Sequence, residues 1–118
     1  MLRRSLIMLA AALLAACASV PAPKSELATA DLALRKADQS DAAHYAPLEA
    51  RMARDKYQAA TKAAGKGENL EARRLAEEAA ADAELADVKA RAARAKEAAD
   101  EARASVQSLG SQPAGGKQ

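Results

Sequence analysis

The sequence predicts an all-α protein: a short helix, then a long alanine-rich helical hairpin, closing a small three-helix bundle of coiled-coil-like spacing, with a disordered C-terminal tail. Three observations carry this. Alanine dominates an apolar half of the composition in which aromatics are only 2% of the chain and Phe and Trp are absent. Alanine is the best helix former. Apolar residues recur at steps of three and four over most of residues 26–109. Proline and glycine fall only between or outside these periodic stretches. The predicted core is thin, because burying an alanine methyl gains only about 0.8 kcal/mol. Marginal stability as a monomer is expected.

Residues 1–16 begin with Arg3 and Arg4 and continue as an apolar run from Leu6 to Ala16. The basic pair keeps this end cytoplasmic, and the apolar run is too short for a permanent span. Leu14, Ala15, Ala16 and Cys17 resemble the lipobox of a bacterial lipoprotein signal. That resemblance implies removal of residues 1–16 and lipid on Cys17. Ala18 and Ser19 lack the Asp that marks inner-membrane retention, so outer-membrane placement is expected. Cys17 is the only cysteine, so no disulfide is available. Once Arg3 and Arg4 are gone, basic and acidic residues are equal in number. A balanced surface excludes a basic nucleic-acid face and a polybasic membrane patch.

Residues 17–25, with Pro21 and Pro23, read as an extended tether. At ~3.1 Å per residue its eight residues after Cys17 reach about 25 Å. Ser25 is the expected N-cap of the first helix, whose apolar stripe is Leu27, Ala30, Leu34 and Ala37. Gln39, Ser40 and Asp41 end it. Pro47 suits the first turn of a second helix and disfavours helix at Ala46. That helix runs to about Ala64 on a seam of Ala46, Ala50, Ala53, Tyr57, Ala60 and Ala64, with Leu48 and Met52 beside it. Gly65-Lys66-Gly67 closes it with a glycine cap. It is not a phosphate loop, since no strand precedes it and no Lys-Ser/Thr ends it.

The third helix opens at Glu68 or Asn69 and runs to about Ser108, a rod of about 60 Å. It carries two seams. The first is Ala72, Ala76, Ala79, Ala83, Ala86, Ala90 and Ala93. The second is Ala81, Leu85, Val88, Ala92, Ala95, Ala99, Ala102, Val106 and Leu109. Both alternate fours and threes. The rod outruns its hairpin partner, and methyl-lined seams admit another helix to ~8 Å. A helical partner protein or a second copy is the expected occupant. Residues 110–118 read as the disordered tail.

The string Tyr45-Ala46-Pro47-Leu48-Glu49, then Ala53, Lys56 and Ala59, a glycine turn, Leu75-Ala76-Glu77-Glu78-Ala79 and Asp82-Ala83-Glu84-Leu85-Ala86 is similar to the alanine-rich bacterial envelope lipoproteins classed as domain of unknown function 4398. The resemblance covers residues 24–104. It implies an outer-membrane lipoprotein facing the periplasm and brings no catalytic residues. In that family the domain often precedes an OmpA-like peptidoglycan-binding domain. None follows here, so peptidoglycan contact of that kind is not expected.

No catalytic, cofactor or metal site is expected. His44 is the only histidine, and with Asp41 it falls short of the three or four ligands of a metal site. The clusters Glu77/Glu78/Asp82 and Glu97/Asp100/Glu101 lie among Arg73, Arg74, Lys96 and Arg103, as on a solvated, salt-bridged face. Tyr45 and Tyr57 are expected in the hairpin core. The sequence therefore points to a non-enzymatic, lipid-anchored tether or adaptor. The alternative is a structural cell-wall lipoprotein that oligomerises through its alanine seams and joins peptidoglycan through Lys117. Gln118 after that lysine favours the first reading.

Overall fold

The structure, a computed structural model, describes residues 20–111. The signal segment, Leu14, Ala15, Ala16, Cys17 and Lys117 lie outside the described residues. The chain forms α1 (Lys24–Gln39), α2 (Ala42–Tyr45), α3 (Pro47–Gly65) and α4 (Asn69–Gly110), with no strand among the described residues. Helices α1, α2 and α3 all pack on α4.

Helix α1 starts two residues before the expected site, and Ser25 does not cap it. Pro23 is the N-cap, and its carbonyl accepts the first helical bond from Leu27 N–H at 3.0 Å. Proline has its φ near a helical value already and needs no donor there. Ser25 sits in the first turn and donates to Glu26 instead, at 2.8 Å. The helix stops where expected. Ser40 Oγ donates to the Ala37 carbonyl, and Asp41 turns left-handed at φ 60°. Aspartate tolerates that region better than most residues. The single turn of α2 was not anticipated; it fills the gap before Pro47, and Ala46 breaks the helix at φ −140°.

Helix α3 ends in a Schellman closure. Gly67 N–H donates to the Ala64 carbonyl and Glu68 N–H to the Ala63 carbonyl, each at 3.0 Å. Gly67 takes the left-handed φ of 77°, while Gly65 stays helical. Glycine adopts this φ without a Cβ penalty. At 42 residues, α4 is about 63 Å long.

Apart from Pro23, every buried apolar residue among those described is an alanine. Ala30, Ala33, Ala53, Ala60, Ala76, Ala79, Ala80 and Ala83 form one cluster, edged by Leu27, Leu34, Tyr57 and Leu75. Ala37, Ala42, Ala46, Ala50, Ala86 and Ala90 form the other, with Tyr45 against it. The larger side chains stand at the margins because helices packed methyl to methyl leave no room between them. Three details of the expected stripes change accordingly. Ala33 is buried and Leu34 only half so. Ala63 replaces Ala64, because the turn folds back onto its carbonyl. Leu48 and Met52 face solvent rather than the seam, Leu48 at 64% exposure.

Candidate functional site

The two seams of α4 have opposite fates. Ala72, Ala76, Ala79, Ala83, Ala86 and Ala90 are each 0% exposed, and Ala93 is half-buried where the bundle ends. The second seam, Ala81 to Leu109, is exposed along its whole length. Its positions lie about 180° around the helix from the first, with Ala81 at the rim of a groove beside α1 and the rest exposed. Past Ala93 the bundle-side face turns polar, with Arg94, Glu97, Glu101 and Ser108. The second seam stays apolar there and includes Val106 and Leu109, the latter 72% exposed. One continuous stripe of about four heptads therefore runs along the back of the bundle and beyond it.

The Tyr45–Glu49 string fixes this rod to the bundle. Tyr45 is half-buried, and its hydroxyl donates to Glu97 Oε2 at 2.5 Å. Glu97 was expected on a salt-bridged face; instead it meets a phenol from α2. Ala46 is buried against α4 and Pro47 opens α3. Glu49, half-buried, accepts from Lys89 Nζ. Leu48 is largely exposed. The string thus grips α4 at Lys89 and again at Glu97, about 12 Å apart along the axis. His44 is exposed and sets its ring edge-on to Tyr45, centroids 4.6 Å apart.

Of the remaining candidate carboxylates, Glu78, Asp82 and Asp100 sit in ion pairs, while Glu77 and Glu101 are exposed. Lys56 Nζ lies 2.8 Å from Asp82 and 3.3 Å from Glu78. Arg74 binds Glu71 and Glu78, and Arg73 reaches Glu26 at 3.0 Å. Asp100 holds both Lys96 and Arg103, and Arg91 holds Asp87 through two contacts. Glu77 lines a shallow open groove between α1 and α4 with Ser25, Glu26, Thr29 and Glu84. Among the described residues no three His, Cys, Asp or Glu gather as a metal site, and no helix is long and apolar enough to cross a membrane.

These contacts shift proton affinities in two directions. The Lys89 hydrogen bond holds Glu49 below the ordinary glutamate value; Lys56 does so for Glu78, Arg74 for Glu71 and the Ser25 hydroxyl for Glu26. The hydrogen bond to Glu97 raises Tyr45, and that to Asp82 raises Lys56. A lowered carboxylate stabilises the fold above its unfolded value and loses that contribution as pH falls through the folded value. A raised phenol or ammonium stabilises below its unfolded value and loses the contribution as pH rises through the folded one. Thermal melts followed by circular dichroism should therefore show a plateau from about pH 5 to 9 with a fall on each side. Tyr45→Phe should soften the alkaline fall and leave the acid one unchanged. An alkaline limb identical in both proteins would remove Tyr45 from the account.

Sequence reasoning missed the clamping contacts, the Glu49–Lys89 pair and two others. The Tyr45–Glu97 bond joins residues 52 apart. Asn69 donates its side-chain amide to the Val20 carbonyl at 2.7 Å. None leaves a periodic signal. A family model described as a domain of unknown function (DUF4398) matches residues 25–102. No curated protein and no solved structure matches the chain.

Proposed function

We propose that this chain, which belongs to the DUF4398 family, is a non-enzymatic lipid-anchored adaptor of the periplasmic face of the outer membrane. Lipid on Cys17 holds the membrane, the short bundle stiffens the base of α4, and the second seam docks a helix from a partner protein or a second copy. The observation that carries this is the exposed stripe from Ala81 to Leu109, which continues past the bundle while the bundle-side face turns polar. Apolar heptads of that length ask for a partner helix. The Leu14–Cys17 lipobox supports the anchor.

Photo-crosslinking in whole cells tests the docking. A photoreactive residue at Ala92 or Ala99, both on the seam, should give a discrete adduct. The same residue at Ala104, which shares the helical phase of Ala90, should not. Mass spectrometry of the adduct distinguishes a second copy from another protein. No adduct at either seam position, or equal yield at Ala104, would refute the seam as the docking face.

A further inference from the structure

The segment that leads from Cys17 into the bundle is held at one particular end of the molecule. Val20 lies against the α3–α4 turn in a shallow depression with Gly67, Glu68, Asn69, Leu70 and Glu71. Asn69, the first residue of α4, donates to its carbonyl at 2.7 Å. Pro23, just beyond, is fully buried. Residues 24 and 25, expected in the tether, belong to α1. The extended reach of about 25 Å expected from composition is therefore cut short.

Only three peptide units separate Cys17 from Val20. At no more than about 3.6 Å per residue, the two Cα atoms are within about 11 Å. The headgroup layer on one side of a bilayer is about 6 Å deep. A lipid attached at Cys17 therefore brings the α3–α4 turn to headgroup level. Leu70 at that turn is 68% exposed. Lys24, Lys62 and Lys66 are exposed around the same end. Lys66 pairs with Glu68 at 3.9 Å and Glu71 is exposed beside them, so charge at this end is mixed and the apolar Leu70 carries the contact.

We infer that the α3–α4 turn is a membrane-contact surface whose occupant is the bilayer holding the protein's own lipid. Leu70 enters the interface, and α4 leads the second seam about 60 Å away from it. This rests on lipidation of Cys17. It adds a direction to the anchor: the bundle is the base and the free end of α4 is the tip. The Asn69–Val20 bond is the positioning contact, since it sets which end of the bundle the lipid reaches.

The test uses the lipidated full chain in vesicles of phosphatidylethanolamine and phosphatidylglycerol with brominated acyl chains. With the Cys17 thiol occupied by lipid, Leu70→Cys and Leu109→Cys each offer one site for a thiol-reactive fluorophore. Strong quenching from position 70 and none from position 109 is the expected result. Adding Asn69→Ala should lower the quenching at position 70 and leave position 109 unchanged. Equal quenching at both sites, stronger quenching at 109, or none at 70 would overturn the orientation. Intact mass of the same sample separates the two layers. Acylated protein with the wrong quenching pattern defeats the orientation alone, whereas protein without acyl mass defeats the anchor and the orientation with it.

Discussion

Ala83→Leu is expected to destabilise the fold by about 1–3 kcal/mol, with a visible fall in melting temperature. Ala83 is 0% exposed and belongs to the cluster joining α1, α3 and α4. The buried members of that cluster are all alanines, with Leu27, Leu34, Tyr57 and Leu75 only at its edge, so the seam has little room for an isobutyl group. It must push helix axes apart, which strips methyl contacts along the rest of the seam. Total stabilities of small domains are about 5–15 kcal/mol, so the loss is a large share. Ala99→Leu is the matched control. It places the same side chain on the same helix at an exposed position, with nearly equal helix propensity. Its effect on a dilute monomer should stay within about 0.5 kcal/mol. Urea or thermal unfolding of both variants measures the difference. Equal loss in the two would mean that close methyl packing is not what holds the bundle.

Cys17→Ser is expected to abolish lipid attachment and release the protein from the membrane, or leave it as an uncut precursor. The thiol is the better nucleophile near neutral pH, and the serine hydroxyl does not replace it. The size of the effect follows from anchoring arithmetic. Each buried methylene contributes about 0.8 kcal/mol, and one myristoyl chain gives an association constant of only about 10⁴ M⁻¹. Several acyl chains on one cysteine make attachment stable; none leaves only the weak contact of the turn. Membrane fractionation with intact-mass measurement reads both outcomes. Wild-type and variant chains of the same full precursor size in the membrane fraction would end the lipoprotein reading.

Much of the fold was legible before any coordinates. Six alanines of the first α4 seam, Ala72 through Ala90, were named from spacing alone and are all fully buried. The boundaries at Gln39, Pro47, Gly67 and Asn69 follow from local turn chemistry, which neighbouring residues decide. The misplaced residues have a common cause. Leu34, Leu48 and Met52 have the hydrophobicity of core residues, and Ser25 is a good capping residue. A core of methyls has no space for the first three, and Pro23 had already started the helix ahead of the fourth.

Periodicity and punctuation in the sequence determined the three long helices and the two apolar seams of α4, because a residue's position on a helix depends only on its separation along the chain; which seam is covered was decided by the packing of α1, α2 and α3 on it. The tertiary structure decided how the elements are clamped: Tyr45 on Glu97, Glu49 on Lys89 and Val20 on Asn69. It also decided that Val20 lies against the α3–α4 turn. These contacts join polar groups distant in sequence, and each exists only because the alanine seams bring the helices close enough for a side chain to reach across.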